Sequence, residues 1–346
     1  MKRVIILIVA LIVIAIPVRA LDISAPDAPE SADPFLPRES TTFWEDLLYI
    51  FQKALSSLNP SIAQAVRLCI STIGVVLLTS VARNISVLSC KVVDLIAAVA
   101  IGALLLSPAS SLITLGMQTV TAISEYGKLL LPVLTTALAA AGSSTTSTAL
   151  YTGTMLFNTV LTIGITELLI PLLYIYIALG IAKASIQETV IKKLHDFLKW
   201  LITWTLKISI YLFTGYLGVT GVIGGTVDAA AIKATKLAIS GSVPVVGSII
   251  SDASETILVG AGIVKNSVGI YGMLAVIATW IGPFLQIGAQ YIALKVTTAI
   301  CGMFGSKQSV VTIENFTTAM GFLVAMTSTI SILLLVSIVC FIKGAG

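Results

Sequence analysis

The residues of this chain that could do chemistry are few. There is one histidine, His195, in the run Lys192-Lys193-Leu194-His195-Asp196, and there are four cysteines, Cys69, Cys90, Cys301 and Cys340. No two cysteines have metal-ligand spacing, and a lone histidine among lysines reads most simply as a solvated surface group. No carboxylate pair has acid/base spacing, no serine has a histidine partner in a motif, and no glycine-rich phosphate loop follows a strand. The sequence therefore predicts no catalytic centre, no cofactor and no metal. Four charges differ in kind, because Arg67, Asp94, Glu167 and Lys207 each interrupt an apolar run. A charge at the bilayer centre costs about 3 kcal/mol or more, and it ordinarily faces a partner or a water-filled cavity. Arg67 and Asp94 lie nearer the ends of their runs, where snorkelling to the interface accounts for them. Lys207 lies well inside its run and is the clearest candidate for a polar pore or a buried pair, with packing as the alternative.

The elements that must position these charges follow from composition. Of 346 residues, 57% are hydrophobic and only 10% charged, and the mean hydropathy is +1.05. A soluble globule carries roughly a quarter charged residues, so this chain lacks the polar surface to cover itself. The net charge of +4 is scattered and gives no nucleic-acid footprint. Lipid demands a backbone satisfied internally, and the alternation of a barrel is absent. The expected fold is an all-α polytopic integral membrane protein. It is a helical bundle of about seven or eight transmembrane or re-entrant helices with two amphipathic surface helices. Spans are expected near 62–82, 92–106, 129–147, 149–165, 166–182, 200–223, 269–293 and 316–342. The third is a half-span or re-entrant segment, since its apolar run gives way to Gly142-Ser143-Ser144-Thr145.

Residues 1–20 read as a signal peptide. Lys2-Arg3 precede an apolar run from Val4 to Ile16, Pro17 breaks it, and Val18-Arg19-Ala20 suits a peptidase. An uncleaved anchor helix is the alternative. Either way residue 21 onward starts on the extracytoplasmic side. Residues 21–60 carry seven acids against two bases, with Pro26, Pro29, Pro34 and Pro37 predicting a loose linker. Trp44, Leu47, Leu48, Phe51, Leu55 and Leu58 then mark an amphipathic helix on the outer surface or capping the bundle. The membrane domain occupies 61–346. Threading it from outside puts Arg83, Lys91, Lys183, Lys192, Lys193, Lys199, Lys295 and Lys307 on the cytoplasmic side. Lys233 and Lys236 fall outside on this count, unless 226–268 itself enters the membrane. The cytoplasmic loop 183–199 reads as a second amphipathic helix, lying on anionic lipid or docking a soluble partner.

Small residues recur at helical spacing in Ala98/Gly102, Ala137/Ala141 and Gly221/Gly225, which lets helices approach closely or oligomerise. Residues 226–268 read as a broken helical hairpin. A helix from Asp228 is terminated by Ser240-Gly241 and Pro244, Gly247 permits a turn, and Asp252 and Glu255 suit the start of a second helix. The run Lys233-x-x-Lys236-x-x-Ile239-Ser240-x-x-Val243-Pro244-Val245-Val246-Gly247-x-x-Ile250-Ser251-Asp252-Ala253-x-Glu255, followed by Lys265-Asn266-x-Val268-Gly269, resembles the stage III sporulation protein AE family of endospore-forming bacteria. The leader, the polar N-terminal stretch and the polytopic remainder match along nearly the whole chain. The resemblance implies a multi-pass, non-enzymatic subunit in the mother-cell membrane around the forespore. Its partners would be the other stage III proteins AA to AH and, through them, forespore stage II protein Q, in a secretion-like channel needed after engulfment. The family brings no catalytic residues. Lys233, Lys236, Pro244, Gly247, Asp252, Glu255, Lys265, Asn266 and Gly269 are therefore expected, with Lys207, only as architecture or conduit lining. A stand-alone small-solute or ion transporter, with a midplane site around Lys207, is the alternative.

Overall fold

A computed structural model describes residues 24–37, 42–85, 90–141, 144–186, 188–242 and 247–343; the side chains of 84, 90–91, 144–146, 218–242 and 247–265 are outside the described set. The leader at 1–20 is outside it too. Most described residues are helical, 24–37 form coil and turns, and there is no strand among them. The helices are α1 (Phe43–Ser56), α2 (Asn59–Ile85), α3 (Cys90–Ala140), α4 (Ser144–Ile163), α5 (Ile170–Ile186), α6 (Thr189–Ser242), α7 (Gly247–Cys301) and α8 (Lys307–Lys343). A π-helical turn, Gly164–Leu169, joins α4 to α5. Five stretches are long and apolar enough to cross a membrane: Asn59–Arg83, Val92–Ala140, Ser147–Ile186, Asn266–Cys301 and Lys307–Lys343.

Five stretches stand against the seven or eight helices expected: two pairs of expected spans fall within single continuous stretches, and the expected span 200–223, in α6, is not among the five found in the described residues. The stretches 92–106 and 129–147 belong to one helix, α3, which runs through Pro108 and Pro132 and stops just before Gly142. At 1.5 Å per residue α3 is about 75 Å long, over twice the ~30 Å of hydrocarbon. The stretches 149–165 and 166–182 are likewise joined. Pro171 lacks the N–H that would bond the carbonyl of Glu167, and its ring crowds that carbonyl. The wider π-helical turn ending at Leu169 absorbs both effects without ending the helix. The loop helix expected at 183–199 is not separate either. Its first residues end α5, and the rest forms the opening turns of α6, which continues through 200–223.

α8 is the centre of the bundle, packed by α3, α4, α5, α6 and α7. It is apolar on nearly every side, with Phe316, Met320, Leu323, Ile330, Leu334, Ile338 and Phe341 all buried, as an interior helix must be. Its buried hydroxyls bond back to carbonyls one turn earlier: Thr312 to Gln308 at 2.9 Å, Thr327 to Leu323 at 3.1 Å, Ser337 to Leu333 at 2.8 Å. They therefore need no partner across the interface. Ser306 caps the helix by accepting from the Ser309 N–H at 3.2 Å.

Cross-helix contacts fix the register. Ala98 and Gly102 are buried, and a Cβ on Gly102 would stand 2.7 Å from Ile181 of α5, so this small-residue pair does bring helices close. Asn158 of α4 donates to the Ser124 carbonyl of α3 at 3.2 Å, and Asn315 of α8 donates to the Gly180 carbonyl of α5 at 3.0 Å. Ser80 near the end of α2 donates to the Phe304 carbonyl at 3.1 Å. The ends of α2, α5 and α7 and the start of α8 therefore meet at one end of the bundle.

α1 lies against α7. Ile50 and Ala54 bury with Leu274, Ala278 and Ile281, while Trp44, Leu48, Phe51 and Leu55 stay exposed. Of the expected stripe, Leu58 is buried and Leu47 packs on the α7 cluster, while Trp44, Leu48, Phe51 and Leu55 face outward. Thr42 caps α1 and donates to the Glu45 carboxylate at 2.9 Å. The preceding segment is less loose than its prolines suggested. Residues 29–36 turn, with Ala32 N–H to Pro29 O at 2.7 Å, and Ala32 is buried on the α7 surface.

Candidate functional site

Lys207 is exposed on α6 and lines a cavity of about 440 Å³ between α6, α7 and α8. α7 contributes Lys295 and Tyr291, and α8 contributes Glu314, Thr317 and Thr318. Helical spacing explains the alignment, since Thr203, Lys207 and Ile210 share a face of α6 as Tyr291, Lys295 and Thr298 share one of α7. None of Lys207, Lys295 and Glu314 makes an ion pair with a described residue. Two cations and one carboxylate thus line one cavity with a net positive balance. The threonines donate to carbonyls of their own helices: Thr203 to Lys199 at 2.7 Å, Thr317 to Ile313 at 2.9 Å, Thr318 to Glu314 at 2.9 Å. Their oxygens keep lone pairs for a guest. The lining suits an anion or a hydrated, hydrogen-bonding solute, and it holds no nucleophile–base pair.

Beside this cavity lies a polar cluster the sequence did not suggest. His195 is 2% exposed, not solvated. α6 turns it inward with Leu198 and Ile202, and its ring stacks on Tyr176 of α5 with centroids 4.3 Å apart. Nδ1 stands 3.1 Å from the Lys183 ammonium and 3.3 Å from Asp196, while Nε2 is buried without a partner among the described residues. Lys183 and Asp196 pair at 3.2 Å. Burial, followed by the Lys183 charge, holds the imidazole below its ordinary pKa. Partial burial pushes the Asp196 carboxyl up, but its bonds to His195 and Lys183 outweigh that and hold it low. Tyr176 in turn meets Phe322 edge-on at 5.5 Å, and Phe322 lines the Lys207 cavity. A smaller space of about 310 Å³ at the bundle end gathers Lys183, Lys192 and Lys307 with Glu188. Phe197, Trp200 and Trp204 stack along the exposed face of α6 next to these lysines.

The other charges sort differently. Asp94 does not snorkel: it is 7% exposed, and its Oδ1 lies 3.4 Å from Arg83 Nε in a pair too poorly directed to be a hydrogen bond. The reach of Arg83 back from the end of α2 makes burial of the carboxylate tolerable. Arg67 and Glu167 are exposed. Gly269 is a packing position, since a Cβ there would stand 2.5 Å from Ile342 of α8. Asn266 is exposed. Pro244 lies outside the described residues. Lys233 and Lys236 fall in α6, and Gly247, Asp252, Glu255 and Lys265 in α7, where the side chains are outside the described set. The structure therefore joins Lys207 to Lys295 and Glu314, and does not join it to Asn266 or Gly269. Glu314 could have been found as a lone acid one turn before an apolar run. The inward turn of His195 was masked by its charged neighbours, although Ile191, Leu198 and Ile202 stand at helical spacing from it and place it on the apolar face. Among the described residues no three His, Cys, Asp or Glu side chains converge to hold a metal.

The sequence model of one family, described as stage III sporulation protein AE, matches residues 38–345. A curated relative, stage III sporulation protein AE of Bacillus subtilis (strain 168), is 19% identical over 217 residues, covering 63% of this chain and 54% of the relative. The chain thus aligns with about half the length of that relative. No solved structure matches the chain.

Proposed function

The chain belongs to the stage III sporulation protein AE family, and from that premise we propose that it is a non-enzymatic membrane subunit of a secretion-like channel joining mother cell and forespore after engulfment. In this reading it sits as a multi-pass protein in the mother-cell membrane around the forespore, mature N-terminus extracytoplasmic. It works with the stage III proteins AA to AH and, through them, with forespore stage II protein Q. The observation that carries a conduit role is the unpaired convergence of Lys207, Lys295 and Glu314 on one cavity among apolar helices. Charges at such a place are costly unless water or a passing solute meets them. The side assignment is supported by Arg83, Lys183, Lys192 and Lys307 gathering at one end of the bundle, beside Trp200 and Trp204, as cytoplasmic lysines and interfacial tryptophans do.

The test is a Lys207→Ala chain replacing the wild type in its native host. Membrane abundance and helix content should be unchanged, whereas spore yield should fall at a stage after engulfment. Wild-type spore yield at normal abundance refutes the conduit role. The same cavity also favours a second reading, a stand-alone small-solute or ion transporter. That reading requires a solute to stabilise the purified monomer with no sister protein present, whereas the subunit reading requires sister stage III proteins to co-purify.

A further inference from the structure

A second cavity, of about 460 Å³, opens between α2, α3 and α7, and its lining differs from that around Lys207. It is made by Ser61 and Gln64 of α2, Ser111 and Gln118 of α3, and Gln286 and Gln290 of α7. No charged side chain lines it; Arg67, one turn beyond Gln64 on α2, stands outside the lining. All six residues fall in stretches long and apolar enough to span a membrane. Gln286 and Gln290 share one face of α7 by their spacing, and Pro108 on the α3 wall lacks the N–H that would occupy the carbonyl one turn back.

The decisive observation is Gln290. It is only 7% exposed, yet its carboxamide has no hydrogen-bond partner among the described residues, and neither do those of Gln64, Gln118 and Gln286. A carboxamide offers two N–H donors and an oxygen with two lone pairs. Gln64 and Gln118 are exposed and Gln286 half-buried, and with Gln290 these four carboxamides line one open, uncharged space that suits a guest able both to donate and to accept at several points. Hydroxyl groups do this. An anion would find no cation in the lining, and a cation would find no carboxylate.

We infer that this groove binds an uncharged polyhydroxylated solute, gripped by the glutamine carboxamides of α2, α3 and α7. The site is separate from the lysine cavity, and the inference does not rest on the channel reading. The full chain in nanodiscs is tested by equilibrium dialysis with labelled glucose, and with glucose 6-phosphate as the charged counterpart on the same ring. Saturable glucose binding is expected, with the phosphorylated sugar binding more weakly. Loss of one good hydrogen bond is worth roughly tenfold in affinity, so Gln290→Leu and Gln118→Leu should each weaken glucose at least that much. Gln118 is exposed, so its variant decides the matter even where Gln290→Leu fails to fold. Absence of saturable glucose binding by the wild type overturns the inference. So does unchanged affinity in folded Gln118→Leu, or a preference for the phosphorylated sugar.

Discussion

Gly180→Ala tests how α5 is held against α8 and hence how the lysine and histidine clusters are placed. A Cβ at Gly180 would stand 2.8 Å from Asn315 Cβ and 2.9 Å from its Cγ and Nδ2. Carbon atoms rest about 3.5–4 Å apart, so something must yield by roughly 1 Å. The nearest atom is the root of the Asn315 side chain, which cannot swing aside, so the helices must part. Asn315 donates to the Gly180 carbonyl at 3.0 Å, and a bond stretched by that much is lost. Overpacking costs about 1–3 kcal/mol and an interhelical hydrogen bond in lipid is worth about 0.6–2 kcal/mol. Together they predict a loss of about 2–5 kcal/mol. Asn315→Ala alone removes the bond and leaves a small space, for about 1–2 kcal/mol. In the double variant the new methyl fills that space. The combined cost should therefore fall short of the sum by at least ~1 kcal/mol, a coupling expected only of residues in contact. Reversible unfolding of the four proteins in lipid bicelles measures it. Additivity within about 0.5 kcal/mol refutes the register of α5 on α8 and with it the placement of Tyr176 and Lys183.

Two further predictions concern the buried charges. His195 has its pKa lowered from 6.5 by burial and by Lys183, so the folded protein holds a neutral imidazole, with Asp196, Lys199 and Tyr176 also facing it. Protons then bind the unfolded chain more readily; the stabilisation is full above pH 6.5 and is lost as pH falls through the folded-state value. The unfolding midpoint should drop on acidification below that point, and His195→Phe, which keeps a ring on Tyr176, should flatten the drop; equal pH slopes contradict it. Arg83→Ala strands the Asp94 carboxylate, and since the arginine side chain is 37% exposed the loss should sit low in the range for a broken buried pair, about 1–3 kcal/mol. Adding Asp94→Asn should recover part of it in a thermal-shift assay, and no recovery means that the pair does not bear on stability.

How much was legible from the sequence divides along a physical line. Composition alone sufficed for an all-helical chain with membrane-length apolar stretches, because a chain so poor in charge has few other ways to satisfy its backbone. The gathering of Lys183, Lys192 and Lys307 at one end was also legible, because loop lysines label an end whether or not the spans are counted correctly. That Lys207 would line a cavity was legible for a related reason: an ammonium within an apolar run has few solutions, and a polar cavity is one of them. Its cavity partners were not. Lys295 was assigned to a loop and Glu314 preceded the expected span, and only the packing of α7 and α8 against α6 brings them to it. The glutamine groove escaped notice because Gln64, Gln118, Gln286 and Gln290 are uncharged and distant in sequence. Each is unremarked alone, and their meaning comes from facing one another.

The errors in element boundaries share one cause. Sequence reading broke α3 between 106 and 129, a stretch that includes the polar run Gln118–Lys128, and broke the α4–α5 junction at 165/166, beside Glu167. A helix ends when its backbone loses intrahelical bonds without compensation, and polarity of side chains does not by itself do this. Glu125 and Lys128 are exposed and the helix runs through them unbroken, while Glu167 is exposed within the π-helical turn, where the ladder widens without the chain leaving helix. The prolines, which do remove a bond, are each absorbed: Pro108 and Pro132 within α3, Pro283 within α7, Pro171 just after the π-helical turn. Long unbroken helices then make a bundle taller than a hydrocarbon core. At that height a polar band such as Gln118–Lys128 can stand clear of the lipid while the same helix crosses it lower down. The position of the membrane along α3 is thus the quantity on which both cavities depend. Cysteines placed singly from 92 to 140 and probed with a membrane-impermeant maleimide would locate it. An accessible stretch beginning near Gln118 is expected, and uniform protection through Lys128 would place that polar band in lipid and overturn the account.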